Sequence, residues 1–169
     1  AATKFRIFDG TPKTAPARII NSNMKPYWEK FIGGNTEFTS FSAEDKSADF
    51  SLKDNRIEFR GRTVFDLSDS ALKGRHNAEN MMAALALLRA VCGDDALYDS
   101  RTIQALKDFR PDFHRMEVFA EKDGVTYVND SKATNPHAVN AAIETFAKGR
   151  NIAIILGGLD KDMDFAELV

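Results

Sequence analysis

Apolar and polar residues alternate through the first part of the chain as in half-buried β-strands. Asp54, Asn55 and Gly61 separate three of these runs at hairpin spacing, and such residues favour tight turns. The pattern predicts a strand-rich region that ends in an antiparallel meander, preceded by one short helix at Lys25–Phe31. The predicted strands occupy residues 18–21, 38–41, 49–52, 56–60 and 63–67.

An apolar stripe at helical spacing follows in residues 77–92, and Gly93 favours the end of this helix. A second helix is predicted over residues 103–109. The single cysteine, Cys92, lies on the stripe, so we expect a packed, reduced thiol and no internal disulfide. The members of the stripe are Met81, Ala84, Leu85, Leu88, Val91 and Cys92.

The pattern changes after Pro111, which indicates a domain boundary between Phe109 and Phe113. A strand is predicted at residues 125–128, and a continuous apolar run at residues 152–156 is typical of a strand covered on both faces.

The segment between these strands predicts a helix that begins at Asn135-Pro136 and ends at Gly149. The order of elements predicts one βαβ unit with parallel strands and a right-handed crossover. A further helix is expected near Asp164, and the small sheet indicates an incomplete domain. The predicted buried face of the central helix consists of Ala138, Val139, Ala142, Ile143 and Phe146.

Composition narrows the classes of function. The 169 residues are 43% hydrophobic and 28% charged, with a net charge of -2 and basic side chains that are scattered along the chain. We therefore expect neither nucleic-acid binding nor membrane insertion, and the single cysteine fits a reducing cytosol. The missing initiator Met and the alternation around Phe5 and Ile7 suggest a truncated protein.

Two loops at predicted strand ends carry candidate chemistry, because ligands of open α/β sheets bind beyond the carboxyl ends of strands. Residues 129–135, NDSKATN, combine an acid, a base, two hydroxyls and two amides before a helix. Residues 157–161, GGLDK, place Lys161 after two glycines. The plainer alternatives are an Asx turn with a helix cap and a solvated lysine. No GxxxxGK[ST] phosphate-binding segment occurs in the chain.

Two further polar groups are candidates. Asn77 and Asn80 lie one turn apart at a helix start, so their amides can share one side, although Asn77 can also be a plain N-cap. Arg115, after His114, follows the predicted domain boundary and can reach into a cleft between domains; an ordinary surface pair is the alternative.

The segments GRHNAEN, FHRME, VNDSKATNP and ILGGLDKDMDF together resemble the Mur ligase family in order and spacing, and most closely its D-glutamate-adding branch. Other branches carry a DYAH-like or DDAYNANP-like segment in place of NDSKATNP. The resemblance covers residues 4–169 and is densest after Lys73. It implies an α/β fold in which residues 1–110 end a central ATPase domain and residues 111–169 begin a Rossmann-like parallel α/β domain.

The resemblance also implies a reaction. D-glutamate would be joined to UDP-N-acetylmuramoyl-L-alanine through an acyl phosphate, with ATP and Mg²⁺, during peptidoglycan precursor synthesis in the bacterial cytoplasm. The UDP-binding domain, the phosphate-binding loop and the principal metal ligands of the family have no counterpart in this sequence. The isolated chain is therefore expected to be inactive, and the complete enzyme to be a monomer.

The same resemblance implies roles for nucleotide-binding residues. Asn80, with Asn77 beside it, would contact the adenine of ATP. Arg115 and Asp130 would bind the ribose, since a carboxylate accepts hydrogen bonds from sugar hydroxyls. No metal ligand is implied among these residues.

Three residues would act at the other substrate. Lys132 would be the catalytic residue, close to the nucleotide and the incoming amino acid. Thr134 and Lys161 would bind the α-carboxylate of D-glutamate, a hydroxyl donor and a cation on one anion.

Two alternatives stay open. One is another Mur-like or a folylpolyglutamate-type amide ligase, which the amino acid that the enzyme consumes would distinguish. The other is a nucleotide-binding module without catalysis.

Overall fold

The computed structural model describes residues 18–31, 37–147, 149, 151–159 and 168. These residues form two compact units. Unit 1 contains the described residues through Ala71 together with Arg75–Phe109, and unit 2 contains Leu72–Gly74 and the described residues from Arg110 onward. None of the described helices combines the length and the apolar character that a membrane crossing requires.

Some expectations lie outside the described residues. They are the strand around Phe5 and Ile7, the helix near Asp164, and the candidate Lys161.

A five-stranded mixed sheet, with its strands in chain order, forms the base of unit 1. The first three strands pair in parallel, and the last three form an antiparallel meander. Asp54 and Asn55 have φ angles of 45° and 63°, and Arg60 and Gly61 have 48° and 80°; two left-handed residues in succession form the tight turn that suits strand twist. The predicted meander is confirmed. The strands are β1 Ile19–Asn21, β2 Thr39–Ser42, β3 Phe50–Lys53, β4 Arg56–Phe59 and β5 Arg62–Asp66.

The three helices predicted in unit 1 are confirmed as α1 Lys25–Phe31, α2 Arg75–Cys92 and α3 Ser100–Asp108. Helix α2 packs against β1, β2 and β3, which covers the sheet and closes a hydrophobic core. The largest fully buried apolar side chains in this core are Phe50, Ile57, Met82, Leu85 and Leu97.

The buried face of α2 is rotated relative to the predicted stripe. Ala84 and Val91 lie on the opposite side of the helix, and Val91 is 84% exposed. Cys92 is exposed because it is the last residue of the helix, so the expected packed thiol is wrong. The buried face consists of Ala78, Met81, Met82, Leu85 and Ala86.

Unit 2 contains an antiparallel hairpin and a helix. Strands β6 Glu117–Lys122 and β7 Val125–Asn129 pair across a turn at Asp123 and Gly124, whose φ angles are 52° and 77°. Helix α4, Pro136–Phe146, begins as predicted: the Asn135 Oδ1 accepts a hydrogen bond from the Ala138 N–H at 3.0 Å, and proline follows the cap. The predicted apolar face of α4 is half-buried.

The prediction of a strand at residues 152–156, and with it of a βαβ unit, is wrong. Residues 151–159 form no helix or strand and are exposed, with Ile155 at 99%. A central parallel strand needs hydrogen bonds to a neighbouring strand and cover on its faces, whereas β7 pairs with β6 in an antiparallel hairpin. The mixed α/β class itself is confirmed, with parallel pairing in unit 1.

Candidate functional site

The candidate residues of unit 2 come together where the segment 112–117 contacts the loop 129–135. The Lys132 N–H donates to the His114 carbonyl at 3.1 Å, and the Met116 N–H donates to Asp130 Oδ1 at 3.0 Å. Arg115 lies in the chain between the two residues that make these bonds. The fold therefore brings Arg115, Asp130 and Lys132, which come from two separate sequence segments, close together along the backbone.

A strained turn carries Arg115. The residues on both sides of it, His114 and Met116, have left-handed φ angles of 67° and 47°, which few non-glycine residues adopt. Such a conformation persists only where surrounding contacts hold it, and it occurs often at functional sites. Here the His114 N–H donates to Glu117 Oε2 at 2.9 Å, and the Arg115 N–H donates to the Asp112 carbonyl at 3.2 Å.

The His114 ring is held from the loop side by Asn129. The Ser131 N–H donates to Asn129 Oδ1 at 3.1 Å, which assigns the amide oxygen to that bond. The Asn129 Nδ2 therefore faces the His114 ring as the amide donor, 2.8 Å from Nδ1. Glu117 had no role in the sequence-based predictions, and Asn129 entered them only as one of the two amides of residues 129–135.

The loop contains the predicted Asx turn and helix cap. Asn129 accepts from the Ser131 N–H, the Ala133 N–H donates to the Asp130 carbonyl at 2.8 Å, and Asn135 caps α4. These contacts account for the two asparagines. They do not account for the side chains of Lys132 and Thr134, so the plainer alternative explains only part of the loop.

Several side-chain groups of this site are available to a ligand. Asp130 uses Oδ1 for the Met116 N–H, and within the described chain its Oδ2 has no hydrogen-bond partner. Arg115 and Thr134 are exposed, and their side chains make no hydrogen bond or ion pair with any described residue. The Lys132 Nζ lies 3.8 Å from Asp112 Oδ2 in an exposed, weak ion pair. Together they offer an acceptor for hydroxyls, two cations for anions and a hydroxyl donor.

The second polar group lies in unit 1, at the start of α2. The helix begins at Arg75, so Asn77 lies inside its first turn, and the N-cap alternative is wrong. Asn77 is half-buried, and Asn80, three residues on, is exposed. Between them, Glu79 Oε1 accepts from the Ala43 N–H at 3.1 Å and anchors this turn to the loop after β2.

Other features do not contribute to the site. The glycines of the 157–161 segment lie in exposed coil, and Lys161 is outside the described residues. A depression of about 240 Å³ at residues 121–126 shares no residue with the loop. Within the described ranges, His, Cys, Asp and Glu side chains form no group of three that could hold a metal ion.

Comparisons with known proteins match both regions of the chain. A model of the Mur ligase middle domain matches residues 1–88, which is more than half of the chain, and a model of the Mur ligase glutamate ligase domain matches residues 114–169.

Individual relatives agree with these models. The chain is 40% identical over 172 residues to the UDP-N-acetylmuramoylalanine–D-glutamate ligase of Dechloromonas aromatica, covering 99% of this chain and 35% of that protein. It is also 40% identical over 170 residues to the enzyme of that name in Rubrobacter xylanophilus, covering 100% of this chain and 36% of that protein.

A relative named for a different amino-acid substrate matches a shorter region. The UDP-N-acetylmuramoyl-L-alanine–L-glutamate ligase of Xanthomonas axonopodis pv. citri is 39% identical over 110 residues, covering 64% of this chain and 22% of that protein. The chain spans about a third of the length of the first two relatives. With matches to both domain models and to these enzymes, the chain belongs to the Mur ligase family.

Proposed function

We propose that this chain is part of the ATP-dependent ligase that joins D-glutamate to UDP-N-acetylmuramoyl-L-alanine in peptidoglycan precursor synthesis. Two relatives that are similar to this chain over nearly its whole length are named as ligases with that activity. Residues 1–110 would end the central ATPase domain, and residues 111–169 would begin the C-terminal domain. The complete enzyme would act as a monomer in the bacterial cytoplasm, without binding nucleic acid or inserting into a membrane.

The reaction forms one amide bond at the expense of one ATP. A carboxylate oxygen of UDP-N-acetylmuramoyl-L-alanine attacks the γ-phosphorus, and ADP leaves. The amino group of D-glutamate then attacks the carbonyl carbon of this acyl phosphate, and phosphate departs with the bonding electrons. Mg²⁺ would offset charge on the phosphates, and its principal ligands would come from outside this chain.

The observation that supports the proposal best is the link between the loop and the Arg115 turn. Asp130 is anchored through Oδ1 to the Met116 N–H, which leaves Oδ2 to accept from ribose hydroxyls. The guanidinium of Arg115, carried by the turn that contains Met116, would bind the same nucleotide. Asn77 and Asn80 would contact the adenine.

The remaining loop residues would serve the amino acid. Thr134 and Lys161 would bind the α-carboxylate of D-glutamate, and Lys132 would lie between the nucleotide and the attacking amino group. All of these groups bind and orient reactants, which lowers the entropic barrier to reaction.

The chirality of the accepted amino acid is the sharpest test. The complete ligase polypeptide that contains this sequence should release ADP when given ATP, UDP-N-acetylmuramoyl-L-alanine and D-glutamate. The same assay with L-glutamate in place of D-glutamate is the essential comparison, because a Xanthomonas relative is named as an L-glutamate ligase.

We expect D-glutamate to be preferred by kcat/KM, and the 169-residue chain alone to form no amide. Preference for L-glutamate or another amino acid would refute the assignment to this branch. Nucleotide binding without any ADP release would favour a non-catalytic module.

A further inference from the structure

Two side chains at the open end of the β6–β7 hairpin hold the same residue. Glu117 and Asn129 are paired across the two strands. Glu117 Oε2 accepts from the His114 N–H at 2.9 Å, and Asn129 Nδ2 donates to the His114 ring at 2.8 Å. The hairpin thus holds both the backbone and the side chain of His114.

The chemistry of the turn explains why such anchors are needed. His114 and Met116 both adopt left-handed φ angles, which side chains with a Cβ disfavour. Two carboxylates offset this cost: Glu117 accepts from the His114 N–H, and Asp130 accepts from the Met116 N–H. Hydrogen bonds to charged acceptors are stronger than neutral ones, so each carboxylate favours this conformation of the turn.

We propose that Glu117 is a positioning residue that holds the His114–Met116 turn, and with it Arg115, in place beside Asp130 for the ribose of the bound nucleotide. Asn129 supports it from the opposite strand. This inference rests on the proposed function, because it takes Arg115 and Asp130 as the nucleotide contacts. Glu117 itself need not touch any substrate.

Glu117 is suited to this role by its surroundings. It is the first residue of β6, so its backbone is fixed by pairing with β7, and its side chain is 27% exposed. A fixed strand that carries a partly buried acceptor orients a neighbouring turn better than a flexible loop does.

The test compares variants of the complete ligase. Glu117→Ala removes the acceptor and should raise the KM for ATP roughly tenfold, with the KM for D-glutamate within about twofold of wild type. Glu117→Gln keeps an oxygen acceptor and should restore the KM for ATP to within about twofold. Glu117→Asp keeps the charge but shortens the reach, so it should behave like Glu117→Ala.

Glu121→Ala is the matched control. Glu121 is an exposed glutamate on the same strand, and its side chain bonds to no described residue. Glu121→Ala should leave the KM for ATP and the KM for D-glutamate within about twofold of wild type.

A double-mutant cycle tests whether Glu117 acts through Arg115. If it does, Glu117→Ala should add less than about a twofold further rise in the KM for ATP when Arg115 is already alanine. A full multiplicative effect in that background would overturn the inference.

The two proposals fail in different ways. If the wild-type enzyme consumes ATP and D-glutamate but Glu117→Ala and Glu117→Asp match Glu121→Ala, the positioning role is wrong and the proposed function stands. Absence of D-glutamate-dependent ADP release by the wild type would overturn the proposed function and this inference with it.

Discussion

Unit 1 and unit 2 are stabilised in different ways. All of the fully buried side chains of the described residues belong to unit 1, where Phe50 and Ile57 are 0% exposed. In unit 2 the hairpin leaves Phe119 and Tyr127 exposed, and α4 has no fully buried residue. Burial of apolar surface therefore stabilises unit 1, whereas polar contacts between the segment 112–117 and the loop 129–135 define the site in unit 2.

This difference has a functional meaning. A packed core tolerates little change in volume, so substitutions there act on stability. A loop that is held by a few hydrogen bonds and presents exposed polar groups can instead be changed with little loss of stability. Predictions for the two units should therefore differ in kind as well as in size.

The largest effect is expected from two isoleucine substitutions compared directly. Ile57→Ala empties a fully buried position on β4 and should reduce the free energy of unfolding by about 2–5 kcal/mol. Ile143→Ala on half-buried α4 should cost roughly 1 kcal/mol, because part of that side chain already contacts water. Urea denaturation of the 169-residue chain, followed by circular dichroism, measures both.

Amide hydrogen exchange should locate each loss in the unit that carries the substitution. Ile57→Val provides a gentler variant in case Ile57→Ala does not fold, with an expected cost of about 0.5–1.5 kcal/mol. If Ile57→Ala and Ile143→Ala reduced the free energy of unfolding equally, the proposed difference in how the two units are stabilised would be wrong.

A smaller effect, on binding alone, is expected from the loop. In the complete ligase, Thr134→Ala and Lys161→Ala should each raise the KM for D-glutamate roughly tenfold, and far more than the KM for ATP. Thr126→Ala, at an exposed threonine on β7, is the matched control for Thr134.

The thermal midpoint of Thr134→Ala should stay within about 2 °C of wild type, since the exposed hydroxyl makes no hydrogen bond with any described residue. A larger rise in the KM for ATP than for D-glutamate would reassign the loop.

The hairpin turns illustrate what could be read from the sequence. Asp54-Asn55 and Gly61 predict the meander, because these residue types tolerate the left-handed φ angles that tight turns require. Asp123-Gly124 carries the same signal, but strand β6, which precedes this turn, was not predicted.

The remaining differences depend on distant partners. The apolar run at 152–156 indicated a preference for burial but not whether a neighbouring strand would pair with it. The left-handed angles of His114 and Met116 were not predicted: Glu117, which holds the first, is three residues away, but Asp130, which holds the second, is fourteen residues away. The residue types of the loop were readable, whereas its contact with the Arg115 turn required the fold.

The smallest expected effect is electrostatic and belongs to unit 1. Asp99 caps α3, and its hydrogen bonds from the Arg101 side chain and the Arg101 N–H lower its pKa to about 2 from an ordinary 3.8. A lowered pKa in the folded state stabilises that state above pH 4 or so, and this contribution is lost as the pH falls toward about 2.

Asp99→Asn keeps the cap but removes the charge, so it isolates the ion pair with Arg101. The thermal midpoint of wild type should exceed that of Asp99→Asn slightly near neutral pH, and the difference should vanish between about pH 4 and pH 2. Because Arg101 is 91% exposed, added salt should also shrink the difference. A difference that stays constant down to about pH 2 would mean that the asparagine variant perturbs the cap and not the charge.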